Sequence, residues 1–460
     1  MKSRLARCVE LATANRIDIA ILLFLMAGLL GMLQAHYQPA PCCKGFEMIS
    51  IAKNVADHGT FANPFYALST GLTAANPPLY PLMLALLMKL LKQPGLIVLP
   101  ATLGSILANV ITAALLPYVS FLFFGEVISG SVASVLWMGA MQAMPAWDTN
   151  YTVAGLLAFV LLTASDAKNS THMVRRGALA GIVAGLLFSL NPSSALVFLP
   201  WLLYLYIRTR THARRYCFVL LIAFCILPVV WATRNYRQLG AFVIRTNLGM
   251  TLYASNNDCA QSTMIKNELN GCYQWHHPNV SLSEAQLLWS LGEVQYDRKR
   301  TADAKSWIYL HPRRFAGLTL TRIGEFWFPP VDLNSHYHAY FVSLITALSI
   351  PGLIFMGRRR EPITLFVLAV LLLYPLIYYI VVTDVRYRYP MLWLSLLPAG
   401  YYVRRLLELV VAMPPMARRR TQPDTVAELY QTISDTCPAS TGQSHRLAVQ
   451  EPPAVESAPQ

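Results

Sequence analysis

Leu79-Tyr80-Pro81-Leu82-Met83-Leu84-Ala85-Leu86-Leu87-Met88-Lys89-Leu90-Leu91 is apolar almost throughout, yet short. A helix needs about 20 apolar residues to cross the hydrocarbon core of a bilayer, and a run of this length more often marks an interfacial or re-entrant segment. Other apolar runs flank it, several of them short as drawn and needing flanking residues to span: Ile17–Ala35 before, then Ile97–Phe123, Ile128–Pro145, Tyr151–Thr163, Ala178–Leu190, Ala195–Ile207, Phe218–Trp231, Phe341–Met356, Ile363–Val382 and Met391–Val411 after it. The N-terminus carries Lys2, Arg4 and Arg7 and belongs in the cytoplasm. If Leu79–Leu91 also spans, Arg175-Arg176, Arg208–Arg215 and Arg358–Arg360 all fall outside, against the positive-inside rule. If it lies in the interface, all three clusters fall inside, together with Arg418–Arg420. Parity therefore predicts an all-α polytopic membrane protein with about ten transmembrane helices and both termini cytoplasmic.

Composition agrees. The chain is 55% hydrophobic and only 13% charged, where a soluble protein carries about 25% charged residues. The net charge of +14 sits in short clusters between apolar runs and not on one continuous face, which excludes nucleic acid as the partner the charge serves. Residues 1–411 form the predicted membrane domain. Its first outer loop, 36–95, holds interfacial helices, and a large outer loop spans 234–340. Glu284 to Leu310 reads as one or two amphipathic helices that break before His311-Pro312. Residues 412–460 are rich in Pro, Ser, Thr and Gln, have little to bury, and read as a disordered cytoplasmic tail. No cleavable signal is evident: Ile17–Ala35 is long for a signal core and reads as a retained span. Cys217 and Cys225 lie in an apolar run as packing thiols, whereas Cys259 and Cys272 share the large loop and can bridge in an oxidising compartment.

Acids are few, so each one is informative. Glu47 opens an amphipathic stretch in which Ile51 and Val55 continue the apolar face. Desolvation there would raise its pKa toward the range of a general base; a solvated acid at a helix start fits the same pattern. Asp148 lies tightly between apolar spans, where an acid is costly unless it is paired or functional; capping the next helix is the alternative. Arg234, Arg245, Arg322, Arg386 and Arg388 fall just outside the membrane in spite of the charge bias. A guanidinium can clamp a phosphate through two parallel hydrogen bonds, and salt bridges or lipid headgroups are the other uses. His58 is a metal-ligand or polar-loop candidate.

The order of features resembles the bacterial membrane glycosyltransferases of the GT-C class, relatives of the protein O-mannosyltransferases and the lipid A aminoarabinose transferases. The first loop carries most of the likeness: Phe46-Glu47, Ile51-Ala52-Lys53-Asn54, Gly59-Thr60-Phe61, Asn63-Pro64-Phe65, Gly71-Leu72-Thr73-Ala74 and Pro78-Leu79-Tyr80-Pro81. The large loop adds Trp231-Ala232-Thr233-Arg234-Asn235-Tyr236, Asn256-Asn257, His277-Pro278, Gly292-Glu293, Trp307-Ile308, His311-Pro312 and Arg322 with Phe326-Trp327. The likeness runs over roughly residues 15 to 410.

The resemblance implies sugar transfer from a polyprenyl-phosphate carrier on the outer face of the cell inner membrane. The acceptor is a lipid, a polysaccharide or a protein. Glu47 occupies the place of the catalytic base and Asp148 that of an assisting acid. Arg234, Arg245, Arg322, Arg386, Arg388, His58 and Tyr80 become candidates for holding phosphate or sugar. Many relatives carry a pair of acids in the first loop; here Gly45 and Phe46 precede Glu47, which argues against a metal held by paired carboxylates. No cofactor is assigned, and a divalent metal stays open. The rival readings are a transporter or lipid flippase, which would bury charge at mid-span, and a scaffold that binds a partner through the large loop.

Overall fold

The computed structural model describes residues 13–37, 46–92, 97–142, 147–166, 173–208, 211–331 and 336–412. The expected disordered tail, Cys42-Cys43 and the outermost basic clusters lie outside the described residues. Each of the ten apolar runs contains helix among the described residues. They correspond to α1 (Arg16–Tyr37), α4 (Val98–Phe124), α5 (Ile128–Ala140), α6 (Asp148–Asp166), α7 (Met173–Leu190), α8 (Ala195–Arg208), α9 (Thr211–Leu239), α16 (His336–Arg358), the broken pair α17 (Thr364–Leu373) and α18 (Leu376–Ile380), and α19 (Tyr389–Ala412). Between α1 and α4 lie α2 (Glu47–His58) and α3 (Leu79–Leu91). The large loop folds as α10 (Leu248–Ser255), α11 (Met264–Leu269), α12 (Cys272–His276), α13 (Leu282–Leu291), α14 (Glu293–Leu310) and α15 (Pro312–Trp327). Among the described residues there is no β-strand, only the isolated bridges Ala62–Leu72 and Thr263–Thr383. The fold is an all-α polytopic membrane fold.

Among the described residues, five helices are long and apolar enough to cross a membrane on length and composition alone: Arg16–Tyr37, Val98–Phe124, Met173–Leu190, Arg214–Leu239 and Tyr337–Arg358. Several of these carry the apolar outer surface. α1 buries only a stripe of Ala20, Leu23, Ala27 and Gly31 and leaves Leu25 and Leu29 62% and 65% exposed. Water would not tolerate such a surface, whereas lipid tails cover it. α19 is the opposite case, with every residue from Arg388 to Tyr401 buried. It lies close against its neighbours because glycines remove the side chain at the crossings. A Cβ on Gly400 would stand 2.0 Å from the carbonyl oxygen of Ser129, and one on Gly352 2.0 Å from that of Pro398. Small residues at helix crossings let membrane helices approach in this way.

Helix α3 has the bounds expected for the interfacial segment. Its buried face, Tyr80, Leu84, Ala85 and Met88, packs with Ala52 of α2 and with Ile97, Ala101 and Leu190. α9 continues to Leu239, well past Trp231, because the polar turns that follow carry no helix breaker before Gly240. The Glu284–Leu310 stretch divides at Gly292 into two helices, and Pro312 opens a third. Pro375 lacks the amide proton that would continue α17 and breaks the last-but-one span. That break turns Tyr374 and Tyr378 toward the site described next.

Candidate functional site

A cavity of about 500 Å³ opens between the helix bundle and the large loop. Five segments wall it: the start of α2, the start of α6, the strap 75–77, the run from Arg245 through α10, and residues 382–390; α11 and α12 close it over. Glu47, Asp148, Arg245 and Arg386 all line it. These are the four residues among the sequence candidates that the fold brings together.

Glu47 is the first residue of α2, following Phe46 in extended backbone. Burial drives its carboxyl pKa upward; a hydrogen bond from its own backbone amide and the nearby Arg386 and Arg245 pull the other way without cancelling the rise. Asp148 is the first residue of α6, ahead of the span Tyr151–Thr163. Burial lifts its pKa to about 6, opposed by Arg245, by a hydrogen bond from Asn191 and by Arg386. The Asn191 amide donates to Asp148 Oδ2 at 3.0 Å. Its own oxygen accepts from the backbone and hydroxyl of Ser193 at 3.1 and 2.7 Å, which fixes which way the amide points. Asn191 follows the last residue of a span and precedes Pro192, a position whose only sequence signal is a polar residue at a helix break.

Arg245 is desolvated, which lowers its pKa, while Asp148 and Glu47 support its charge. Its Nε donates to the carbonyl of Ala75 at 2.5 Å. Burial also disfavours the Arg386 cation, yet Tyr387, Asp384 and Glu47 outweigh it and its pKa rises. Two acids and two bases thus support one another's charge across one cavity, in which Asp148 is buried, Glu47 and Arg386 are half-buried and Arg245 is exposed.

The remaining candidates lie elsewhere. Arg234 donates to the carbonyls of Thr73 and Phe61 at 2.7 and 3.0 Å and ties down the strap. Arg322 is fully buried and holds backbone carbonyls of Ser255 and Ile380. Arg388, equally buried, donates to the Trp327 carbonyl and to Thr346 Oγ1 at 2.9 and 2.7 Å. His58 is exposed at the end of α2. Tyr80 is buried between α2 and α3 and tilts against Tyr151 with ring centroids 5.6 Å apart. None of these five lines the cavity. The cavity adds residues that sequence reasoning did not single out: Asn191, Glu268, Tyr273, Glu325, Tyr378, Asp384 and Tyr387.

Long-range hydrogen bonds lace the two outer loops together. Ala74 N–H and Thr246 Oγ1 both donate to Glu293 at the start of α14, Thr246 N–H donates to Ala74 at 3.2 Å, and Tyr66 N–H donates to Asn279 at 3.0 Å. Cys259 and Cys272 form a disulfide with Cα atoms 5.5 Å apart, pinning the segment that carries α11 to α12. Among the described residues, the one trio of His, Cys, Asp or Glu close enough to share an ion is Cys259, Cys272 and His276, and its two cysteines are those of the disulfide.

No model of a known protein family matches the sequence, and no curated protein matches it. Among solved structures, the archaeal oligosaccharyltransferase AglB from Archaeoglobus fulgidus, in complex with an inhibitory peptide and a dolichol-phosphate, is similar, with a TM-score of 0.52 over 93% of this chain. The chain has the membrane fold of AglB. Sequence identity is 10%, so the likeness is one of fold. The chain spans about half of AglB, 52% of its length. A GT-C-like fold is thus present over nearly the whole membrane part, as the resemblance implied.

Proposed function

We propose that this chain is a membrane glycosyltransferase that moves a sugar from a polyprenyl-phosphate carrier to an acceptor hydroxyl on the extracytoplasmic face of the cell inner membrane. One observation carries the reading: two carboxylates and two arginines, from four distant parts of the chain, line one cavity in a polytopic membrane fold. The acceptor oxygen attacks the anomeric carbon, and Glu47 takes its proton. The bond from that carbon to the carrier's phosphate oxygen breaks, and the phosphate leaves with the electron pair. Arg245 and Arg386 meet the developing charge, which is the largest electrostatic demand of the step. Asp148 assists by orienting the acceptor and by supporting Arg245. The prenyl chain stays in lipid throughout.

Two further facts support the reading. The AglB structure holds a dolichol-phosphate, a lipid of the donor class invoked here, and a peptide. The Cys259–Cys272 disulfide suits an oxidising, extracytoplasmic compartment. Acceptors of protein, lipid or polysaccharide type all present the hydroxyl that the step requires.

Glu47→Gln in protein that still inserts is expected to lower transfer from undecaprenyl-phosphate sugars by roughly 10²- to 10⁴-fold, the usual contribution of a general base, with donor binding retained. Full transfer by the variant removes Glu47 from the chemistry. Absence of transfer by the unmutated protein across a panel of such donors and acceptors favours a flippase or a scaffold.

A further inference from the structure

His277 is buried but lines the cavity, on the wall opposite the membrane helices. Its Nδ1 receives the backbone N–H of Asn279 at 3.2 Å. A backbone N–H can only donate, so Nδ1 must be the lone-pair nitrogen and the ring's proton resides on Nε2. No hydrogen bond to that Nε2 is present among the described residues. Tyr273 stacks on the ring with centroids 4.5 Å apart and planes 19° apart, and Phe65 meets it edge-on at 6.1 Å. Burial depresses its pKa to about 3, with Arg386 adding to the effect, so the ring is neutral at any working pH. The imidazole is thus fixed in plane, tautomer and charge, with one N–H to offer.

From this geometry we infer that the wall formed by Phe65, Tyr273 and His277 is the subsite for the transferred sugar, with His277 Nε2–H donating to a sugar hydroxyl or ring oxygen. The inference deepens the glycosyl-transfer reading and rests on it for the ligand class. A phosphate would be better served by the two cavity arginines, which are charged and can bind through two hydrogen bonds. A neutral single donor between apolar ring faces matches a sugar, which offers oxygens at its edge and C–H groups on its faces. A site built to hydrogen-bond one substrate oxygen also rejects analogues that lack it.

The test is direct binding in detergent by the full-length protein, comparing bare undecaprenyl phosphate with undecaprenyl phosphate carrying glucose, galactose, mannose or arabinose. The wild type is expected to bind at least one sugar-bearing lipid more tightly than the bare one. His277→Asn keeps an acceptor for the Asn279 amide but cannot reach the Nε2 position; it should lose roughly threefold to tenfold of that sugar increment while binding the bare lipid as before. His277→Gln puts an amide N–H near the Nε2 position and should recover part of the loss. An unchanged increment in His277→Asn, an equal loss for the bare lipid, or no sugar increment in the wild type overturns the subsite. Transfer assays on the same samples separate the two ideas: a sugar increment that depends on His277 without any transfer leaves the subsite standing and removes the enzyme reading.

Discussion

Asp148 illustrates what the site costs at the scale of one residue. Its pKa is lifted from 3.8 to about 6 by burial, so the folded state holds the proton more tightly than the unfolded chain does. Stability contributed by the protonated acid is therefore present below about pH 4 and is lost as pH rises from there through about 6. At pH 8 the charged form destabilises the fold by about 2–3 kcal/mol, at 1.36 kcal/mol per pKa unit. Under the proposed function activity runs the other way, because Asp148 would assist as an ionised carboxylate. Transfer is expected to fall as pH drops below about 6. Asp148→Asn should raise the thermal midpoint at pH 8 while lowering transfer. A variant that is less stable at pH 8, or one that transfers at the full rate, contradicts this assignment.

At the scale of elements, the strap in the first loop and the Arg245 segment are positioned by α14, far away in sequence. Glu293 accepts from both Ala74 N–H and Thr246 Oγ1, and Arg245 then leans on Ala75 from the same pair of segments. Glu293→Ala leaves buried donors unmatched, at about 1–3 kcal/mol each. It should lower the thermal midpoint and reduce donor affinity through a misplaced Arg245. Glu293→Gln keeps a carbonyl acceptor and should restore most of both, measured by melting and by donor binding. Here the sequence was partly readable. The apolar face of α2 and the apolar run Leu79–Leu91 announced two helices in the first loop, and His311-Pro312 announced a helix break. Which arginines would reach the cavity was not readable. Arg245 and Arg386 line it, while Arg322 and Arg388, with the same local composition, are consumed by backbone carbonyls of the bundle. That choice depends on which carbonyls tertiary packing leaves without partners, and no local pattern records it. His277 belonged to a quoted motif, but its tautomer depends on the backbone conformation that turns the Asn279 amide, two residues on, toward Nδ1.

At the scale of the whole molecule, the ten apolar runs were legible because lipid demands continuous apolar length, and each contains helix among the described residues. The five that stand alone on length and apolarity announce themselves most plainly. The shorter ones differ: α5 buries much of its length, whereas the broken α17–α18 pair leaves Leu365 and Leu372 exposed. Charge parity makes a testable prediction of orientation. A tag in the turn at Leu91–Gly95 should be labelled from outside the cell, and a tag after Ala412 from the cytoplasm alone. Labelling of the first tag from the cytoplasm alone would overturn the ten-span count. At the far end of α19 from the cavity, about 22 Å along the helix at 1.5 Å per residue, Arg404 pairs with Glu126 and Glu408 at 3.2 and 2.6 Å. The last helix is thus tied to the α4–α5 turn at the end away from the chemistry.

The lacing of the two outer loops also has a consequence in time. Ala74 and its acceptor Glu293 are 219 residues apart. A ribosome adding 5–20 residues per second needs on the order of 10–45 s to travel that distance. Glu47 precedes this interval, Asp148 is made within it, and the cavity wall at residues 382–390 comes only after Glu293. The cavity is therefore complete only when the last third of the chain, which carries Arg386, arrives.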